Sequence, residues 1–510
     1  MSAEIGTVIC TIDGPTPSEF SFVVTKRSRD IPVRRGQFVE LQTEEGKAIA
    51  CVENVMKTNR YFTRPDSVGE YERGGKALTS IFPADRWEYI IAKARIVGLQ
   101  TENGLEQVGF PPSPGQKVYE TSPEVLTRFL GFDQDGGIEI GKLRYHEVPV
   151  KLDLTKLFRK HLAILAMSGA GKSHTATVLI EELLSRPSDS GRLGVVVVDV
   201  HGEYVSIGES SGNGDDFSDK VSVVKGNDVR IGVPNLSAYR FREFLPDMSG
   251  SQTRELAQVI RKLRTDFQSS GRPYDLDDII KCVQEDGDSN RNLRQALLDR
   301  LYDIRTLGIF GENDYPHWEA LVRPGRAVIL DLSDVLNLRK KQVIVTYVAR
   351  KLFDARKANE ISPFVLFLEE AHQFAPSNET AISSSILKTI AREGRKFYAS
   401  LVLISQRPVR LSTTILSQAN TNVILRVTNP YDLDHIKRSS ERITKETADM
   451  ISALPVGEAL IVGEAVNHPI FVRVRRRRSR EANYGESLEE VAKKFEGLIE
   501  KSRRDAEAFM

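Results

Sequence analysis

The run AMSGAGKS, residues 166–173, joins a loop of small residues to a lysine and a serine. The apolar stretch LAIL precedes this run, and a helical pattern follows it. Backbone N–H groups of such a loop and of a helix N-terminus direct partial positive charge at one point, which favours a phosphate group there. We therefore predict a phosphate-binding loop in which Lys172 contacts the β- and γ-phosphates and Ser173 ligates Mg²⁺.

The predicted ligand of this loop is ATP with Mg²⁺. The residues expected to bind it are Ser168, Gly169, Ala170, Gly171, Lys172, Ser173 and His174. The general motif G-x-x-x-x-G-K-[ST] has glycine at its first position, where this chain has Ala166. Alanine is compatible with that position if its φ is negative. The alternative is an ordinary glycine-rich turn before a helix.

Two adjacent carboxylates, Glu369 and Glu370, close the apolar run FVLFL. Beside a phosphate loop, one carboxylate is needed for the Mg²⁺ shell and a second to polarise the attacking water. We predict that Glu369 supports the metal, partly through water, and that Glu370 is the general base. An acidic pair on a solvated loop is the alternative.

Gln406 and Arg395 complete the predicted catalytic set. Gln406 follows the apolar run LVLIS, at the carboxyl end of a sheet, where a neutral amide can hold the attacking water. Arg395 follows Gly394, the predicted C-cap of a helix, and suits a finger that reaches the phosphate of a neighbouring subunit. Arg392 is a second candidate for this role. A turn-forming amide and a solvated basic helix end remain the alternatives.

A further acid cluster follows the run VVVVD and contains Asp199, His201 and Glu203. This cluster either helps to position the metal or the lytic water, or contacts nearby helix termini. We expect His201 and His372 to be hydrogen-bonded structural residues, because no third ligand has suitable spacing.

These side chains must be positioned by a parallel sheet. From about residue 151, apolar stretches alternate with helical segments, as in sheets covered on both faces. The predicted strands are residues 162–166, 195–199, 327–332, 364–368, 401–405 and 422–427. We predict an α/β nucleotide-binding core, a small N-terminal β-barrel or sandwich built from short alternating strands, and a helical insertion. The predicted divisions are 1–150 for the barrel, 151–236 and 323–482 for the core, 237–322 for the helical-bundle insertion and 483–510 for a helical tail.

Composition bounds the class of protein. The 510 residues are 40% hydrophobic and 28% charged, which is typical of a globular protein. No apolar run approaches the roughly 18 to 20 residues that cross a bilayer, and the first residues lack signal-peptide character, so the expected location is the cytoplasm. The net charge of +1 means that any nucleic acid must be held by a local basic surface. The three cysteines form no CxxC pair.

The segments AMSGAGKS, DVHGEY, FLEEAHQF, AREGRK and LISQRPVRLSTTILSQANTNVILRV together resemble the HerA branch of the HerA and FtsK group of P-loop motors. The resemblance implies an α/β fold with a RecA-like P-loop ATPase core, an N-terminal β-barrel domain and a helical insertion. It also implies an ATP-driven double-stranded DNA translocase and helicase that forms a hexameric ring. It also implies a partnership with a NurA-type nuclease in the resection of double-strand breaks. It assigns the phosphate loop, the acidic pair, the sensor Gln406 and the finger Arg395 to the positions given above.

The resemblance does not identify the residues that contact DNA. A motor must accept every sequence, so its contacts should be to phosphates. Lys437 and Arg438 are the DNA candidates, and the basic run at 473–480 either contacts DNA or pairs with acids. Two other functions remain open: a related conjugation or secretion motor, and an ATP-dependent scaffold that recruits a nuclease.

Overall fold

The computed structural model describes most of the chain. The described residues are 3–11, 14–25, 33–59, 62, 69, 73, 87–101, 104–210, 215–285, 291–378, 380–439, 443–481 and 488–508. They form two large sheets, a two-stranded pair and a set of helices.

The first sheet is an N-terminal barrel. Its strands are β1 (Glu4–Ile9), β2 (Glu19–Val24), β3 (Phe38–Thr43), β4 (Gly46–Asn59), β5 (Glu88–Thr101), β6 (Gly104–Glu106) and β7 (Lys117–Glu120). In the order β2-β1-β7-β3-β4-β5-β6, an additional β2–β5 pairing closes six strands into a barrel. β6 pairs antiparallel with the end of β5. Alternate residues such as Phe20 and Phe22 point inward and are buried, as the two-residue period of a strand requires.

The second sheet has eleven strands among the described residues. They are β8 (Ile138–Leu143), β9 (Pro149–Leu152), β10 (Leu162–Leu165), β11 (Gly194–Asp199), β12 (Val221–Lys225), β15 (Ala327–Asp331), β16 (Phe364–Leu368), β17 (Ala399–Ser405), β18 (Thr421–Ile424), β19 (Glu458–Gly463) and β20 (Ile470–Val474). Their order is β12-β15-β11-β16-β17-β10-β18-β19-β20-β8-β9. The first seven run parallel and the remaining four are antiparallel. All six predicted strands are present.

Helices lie on both faces of this sheet. The helices of the described chain are α1 (Pro123–Leu130), α2 (Leu154–Phe158), α3 (Lys172–Ser185), α4 (Ala238–Phe244), α5 (Gly250–Ser270), α6 (Leu276–Glu285), α7 (Arg291–Arg305), α8 (Trp318–Leu321), α9 (Leu338–Lys357), α10 (Ser384–Phe397), α11 (Thr413–Leu416), α12 (Pro430–Ser439), α13 (Lys445–Ser452) and α14 (Leu488–Ala508). Of these, α3 lies on one face of the sheet and α9 on the other. In β11, Val195 and Val197 join the core on the α3 side, whereas Val196 and Val198 join the core that contains α9. Burial on both faces explains why these strands are apolar without alternation.

The helical insertion consists mainly of α4 to α8. In α7, Leu297, Leu301 and Ile304 form the buried face that their spacing predicts. β13 (Ile231–Gly232) and β14 (Phe310–Gly311) pair beside these helices. The predicted α/β class with an N-terminal barrel and a helical insertion is confirmed.

The predicted boundary at residue 150 needs a correction. It falls inside β9, and β8 and β9 hydrogen-bond beyond β20 in the larger sheet. Alternating apolar patterns are the same in a barrel strand and in an antiparallel edge strand, so composition did not separate them. We propose a boundary between residues 120 and 138. Among the described helices, none combines the length and apolarity that a bilayer crossing needs.

Candidate functional site at the carboxyl ends of the parallel strands

The phosphate loop leaves β10 between β17 and β18. The first two residues of the loop are hydrogen-bonded to the two neighbouring strands or the residues after them. Ala166 N donates to Ser405 O, at the end of β17, at 3.2 Å, and Met167 N donates to Arg426 O, just after β18, at 2.9 Å. Ala166 does not have a positive φ, so alanine is unstrained there. Gly169 has φ +74° and Gly171 φ +99°, values that favour glycine. The loop is therefore anchored at the strand and turns through its glycines.

Helix α3 begins at Lys172 with an open N-terminus. Its N-cap, Gly171, has no side chain and makes no capping hydrogen bond. The first N–H groups of a helix lack partners within the helix, and uncapped ones are available to an anion. Ser173 and His174 lie half-buried in this first turn. These features fit the binding of a nucleotide phosphate.

Lys172 and Glu370 form a buried ion pair. Lys172 Nζ lies 2.7 Å from Glu370 Oε1, and the two side chains are 11% and 2% exposed. Glu370 has φ +46° and ψ +45°, a left-handed conformation that non-glycine residues rarely adopt. This turn explains how two adjacent carboxylates can both be buried, because the regular alternation of a strand has already ended at Leu368. Strained backbone of this kind often occurs at functional sites.

Glu369 is fully buried beside the loop that follows β11. Its Oε2 accepts hydrogen bonds from Val200 N at 2.7 Å and His201 N at 3.2 Å. Within the described residues, Oε1 has no hydrogen-bond partner. Burial raises the pKa of Glu369 to about 9, and the charges of Asp199 and Glu203 add to this effect. A buried, unpartnered carboxylate oxygen fits a site for a cation or for its bound water.

Asp199 and Glu203 have different environments. Asp199 accepts hydrogen bonds from the backbone N–H groups of Gly202, Glu203 and Tyr204 at 2.7, 3.0 and 2.8 Å, so it organises its own loop. Burial raises the pKa of Asp199. Glu203 instead accepts a hydrogen bond from the hydroxyl of Ser173. Of the two, Glu203 therefore contacts the predicted metal-ligating serine.

His201, Glu369 and Glu370 form a group that could hold a metal ion. Within the described part of the chain, one ligand atom from each lies within 4.8 Å of the others. Sequence spacing alone did not bring His201 together with the two glutamates, because His201 follows β11 and the glutamates follow β16. The donor set of carboxylates and the Ser173 hydroxyl fits Mg²⁺, which prefers oxygen ligands.

Gln406 follows β17, which lies between β16 and β10. Gln406 is half-buried and lies at the end of the strand that separates β16, which leads to the acidic pair, from β10, which leads to the phosphate loop. Arg392 and Arg395 are exposed on α10, and the described residues show no hydrogen bond or ion pair from either arginine to the phosphate loop. The structure thus gathers Lys172, Ser173, Glu369 and Glu370, but leaves the arginines facing outward.

The prediction that Gly394 caps its helix was wrong. Helix α10 continues to Phe397 and is capped by Tyr398 with φ +54°. A Cβ on Gly394 would lie 2.2 Å from Ala399 O, so the glycine allows the close approach of β17. Arg395 therefore projects from the last helical turn.

Comparisons with known proteins show to which family the chain belongs. A DNA double-strand break repair helicase HerA of Pyrococcus furiosus is 30% identical over 442 residues, which cover 76% of this chain and 78% of that protein. The chain belongs to the HerA helicase family. The family description "Helicase HerA, central domain" matches residues 138–352. This match begins at β8 and so includes the two edge strands.

Other members of the family match over most of the chain. A probable helicase of Methanocaldococcus jannaschii is 28% identical and covers 86% of each chain. The HerA of Saccharolobus solfataricus is 26% identical and covers 92% of each. Among solved structures, VirB4 of Thermoanaerobacter pseudethanolicus has a TM-score of 0.51 at 17% identity and covers 69% of this chain and 99% of that one. The last likeness shows a shared fold.

In this HerA-family chain, the DNA candidates Lys437 and Arg438 lie on α12. Arg438 is exposed and pairs with Asp434 at 2.8 Å, and Lys437 is half-buried. The same helix carries Asp432, which accepts a hydrogen bond from Val409 N at 3.0 Å. α12 is thereby connected to the segment that follows Gln406.

The basic run at 473–480 pairs largely with acids. Arg475 lies 2.8 Å from Glu181 and 2.9 Å from Glu182, and Arg478 also pairs with Glu182. Glu181 is fully buried and accepts hydrogen bonds from the backbone N–H groups of Arg478 and Ser479, each at 2.8 Å. The run therefore clamps the chain after β20 against α3 of the HerA-family core.

Sequence reasoning missed two residues near the acidic pair. Asp331 ends β15 beside Asp199, and the run AVILD could have indicated it, since it matches VVVVD. Lys341, on α9, had no such signal. Burial lowers the pKa of Lys341, while the charges of Glu369 and Asp334 oppose that effect.

His372 is hydrogen-bonded to Ser405 at 3.2 Å, and burial lowers the pKa of its imidazole.

Proposed function

We infer that the protein hydrolyses ATP and couples hydrolysis to movement along, and unwinding of, double-stranded DNA. The observation that carries this inference is the buried Lys172–Glu370 pair, which joins the loop after β10 to the turn after β16. A P-loop lysine beside a strand-terminal glutamate brings a phosphate-binding cation and a candidate base into one site.

The residues have separate roles in this proposal. The loop residues 168–174 hold the phosphates, with Lys172 as the charged contact. Ser173 and Glu369 hold Mg²⁺, partly through water, and Glu203 orients the Ser173 hydroxyl. Mg²⁺ bound with ATP would supply charge neutralisation at the phosphates. Glu370 takes a proton from the attacking water and Gln406 orients that water.

We place the activity in a homohexameric ring that acts with a NurA-type nuclease on double-strand breaks. Support comes from relatives described as DNA double-strand break repair helicases. Arg395, with Arg392 as the second candidate, is exposed on α10 and could serve a neighbouring subunit. Sequence-independent binding of duplex DNA would use basic residues that face the centre of the ring.

The test is ATP hydrolysis with and without duplex DNA, for wild type and for Glu370→Gln. We expect duplex DNA to stimulate wild type, and the variant to bind ATP while its turnover falls by about 100-fold or more. An ATP hydrolysis rate that duplex DNA does not change would indicate a motor that moves another substrate. ATP-dependent assembly and nuclease capture without turnover would point to a scaffold. Mass measurement of the assembled particle tests the hexamer.

A further inference from the structure

His372 lies in a short helix, Ala371–Gln373, directly after the acidic pair. Its Nδ1 lies 3.2 Å from Glu370 Oε2 and 3.2 Å from Ser405 Oγ. Ser405 is the last residue of β17, and its Oγ accepts a hydrogen bond from Arg407 N at 3.1 Å. One ring nitrogen thus lies between a carboxylate and a hydroxyl on two neighbouring strands.

Only one of these two contacts is a hydrogen bond. The contact with Ser405 has hydrogen-bond geometry, whereas Glu370 Oε2 is buried and has no hydrogen-bond partner in the part of the chain that the structure describes. The other oxygen, Oε1, is held by Lys172 at 2.7 Å. Lys172 therefore provides the hydrogen bond that fixes this carboxylate.

That arrangement conflicts with the role of Lys172 in binding phosphate. An ammonium drawn to anionic phosphates weakens its bond to Glu370, and a buried carboxylate without a donor is unfavourable. The neutral imidazole has one N–H to donate, and a small rotation of either side chain would direct Nδ1–H at Oε2. His372 already lies close enough for this, since its Nδ1 is 3.2 Å from Oε2.

We propose that His372 is a positioning residue for Glu370. As Lys172 binds phosphate, His372 exchanges its contact with Ser405 for a hydrogen bond from Nδ1–H to Glu370 Oε2. This bond holds the carboxylate in the direction needed to accept a proton from water, while His372 itself does not touch the reacting atoms. The proposal rests on the ATPase function proposed above.

The test compares four proteins in steady-state ATP hydrolysis and in equilibrium nucleotide binding: wild type, His372→Ala, His372→Asn and the control Gln373→Ala. Asparagine places an N–H donor near the position of the imidazole Nδ1. Gln373 is a half-buried residue of the same short helix, so its variant reports on disturbance of that helix alone.

We expect His372→Ala to lower kcat by roughly 10- to 100-fold, with KM and Kd for ATP changed by less than about 3-fold. His372→Asn should recover kcat to within about 5-fold of wild type, and Gln373→Ala should match wild type. His372→Leu, which keeps volume without a donor, replaces the alanine variant if that variant does not fold.

Wild-type kcat in His372→Ala, together with an inactive Glu370→Gln, would overturn the role of His372 and leave the ATPase function intact. Equal loss in the alanine and asparagine variants, accompanied by weaker ATP binding, would also overturn it, because that result indicates a structural role. An inactive wild type would instead contradict the proposed function.

Discussion

The ammonium of Lys172 lies 2.7 Å from the carboxylate of Glu370, 198 residues later in the chain. Neither side chain has appreciable contact with solvent. The pair joins the phosphate loop to the acidic turn across β17, the strand between them. A buried pair of this kind is expensive to break from one side, because the remaining charge loses its partner.

The ion pair should appear as strong coupling in a double-mutant cycle. Lys172→Met leaves the buried Glu370 uncompensated and should lower the free energy of unfolding by about 3 kcal/mol or more. Adding Glu370→Gln to that variant should restore part of the loss, with a coupling energy of at least about 1 kcal/mol. The coupling energy is measured by denaturant unfolding of the wild type, both single variants and the double variant. Additive effects would show that the pair has no energetic role.

If Arg395 acts on the nucleotide of a neighbouring subunit, mixing two inactive variants should restore ATP hydrolysis. Arg395→Ala and Lys172→Ala should each lose ATP hydrolysis by about 100-fold or more if the arginine stabilises transferred phosphate on a neighbour. Mixed assemblies should regain activity, because some sites then combine an intact loop with an intact arginine from the adjacent subunit. Arg392→Ala, one turn away on α10, tests the second candidate in the same assay. Failure of mixing to restore activity would exclude a trans finger at Arg395.

Measurements of DNA binding should distinguish the basic residues of α12 from those of the basic run at 473–480. Replacing Lys437 and Arg438 by alanine should weaken duplex binding regardless of sequence, and lower the salt slope by up to about 2. Arg473→Ala is the comparison from the basic run, since this exposed residue lies 3.8 Å from Glu458. Fluorescence anisotropy over a range of salt gives both slopes. An unchanged slope for the α12 variant removes Lys437 and Arg438 from the DNA surface.

His161 should make stability depend on pH. Its Nδ1 accepts a hydrogen bond from Leu401 N at 3.0 Å and its Nε2 lies 3.0 Å from Ala391 O, so the ring is neutral with its proton on Nε2. Burial lowers the pKa of His161 from 6.5 to about 4. The unfolded state therefore binds a proton first, and stability present above pH 6.5 is lost as the pH falls toward 4.

Between pH 7 and pH 5 this histidine should remove about 2 kcal/mol from the free energy of unfolding. Denaturant melts across that range check the value. His161→Gln should be less stable at pH 7 but less sensitive to acid. An equally steep pH dependence in this variant would assign the effect to other groups.

Much of the architecture could be predicted from local patterns. A doubly buried strand such as β11 is apolar on both faces, and the loop at 166–173 has its strand before it and its helix after it in the sequence itself. The α/β fold could therefore be predicted from the sequence, and it is confirmed. The resemblance to the HerA family is confirmed as well. The position of β8 and β9 was not, because an alternating strand can pair at the edge of either sheet.

The sequence by itself determined which residues can carry the chemistry: the phosphate loop with Lys172 and Ser173, and the acidic pair at a strand end. Only the tertiary structure decided their partners. The left-handed turn at Glu370 directs its carboxylate toward Lys172, and the loop after β11 brings Glu203 to Ser173. The order of the sheet places Gln406 at the end of the strand between β16 and β10. The physical reason is distance along the chain, since periodicity and loop chemistry depend on near neighbours, whereas contacts between residues separated by up to two hundred positions depend on strand order and packing.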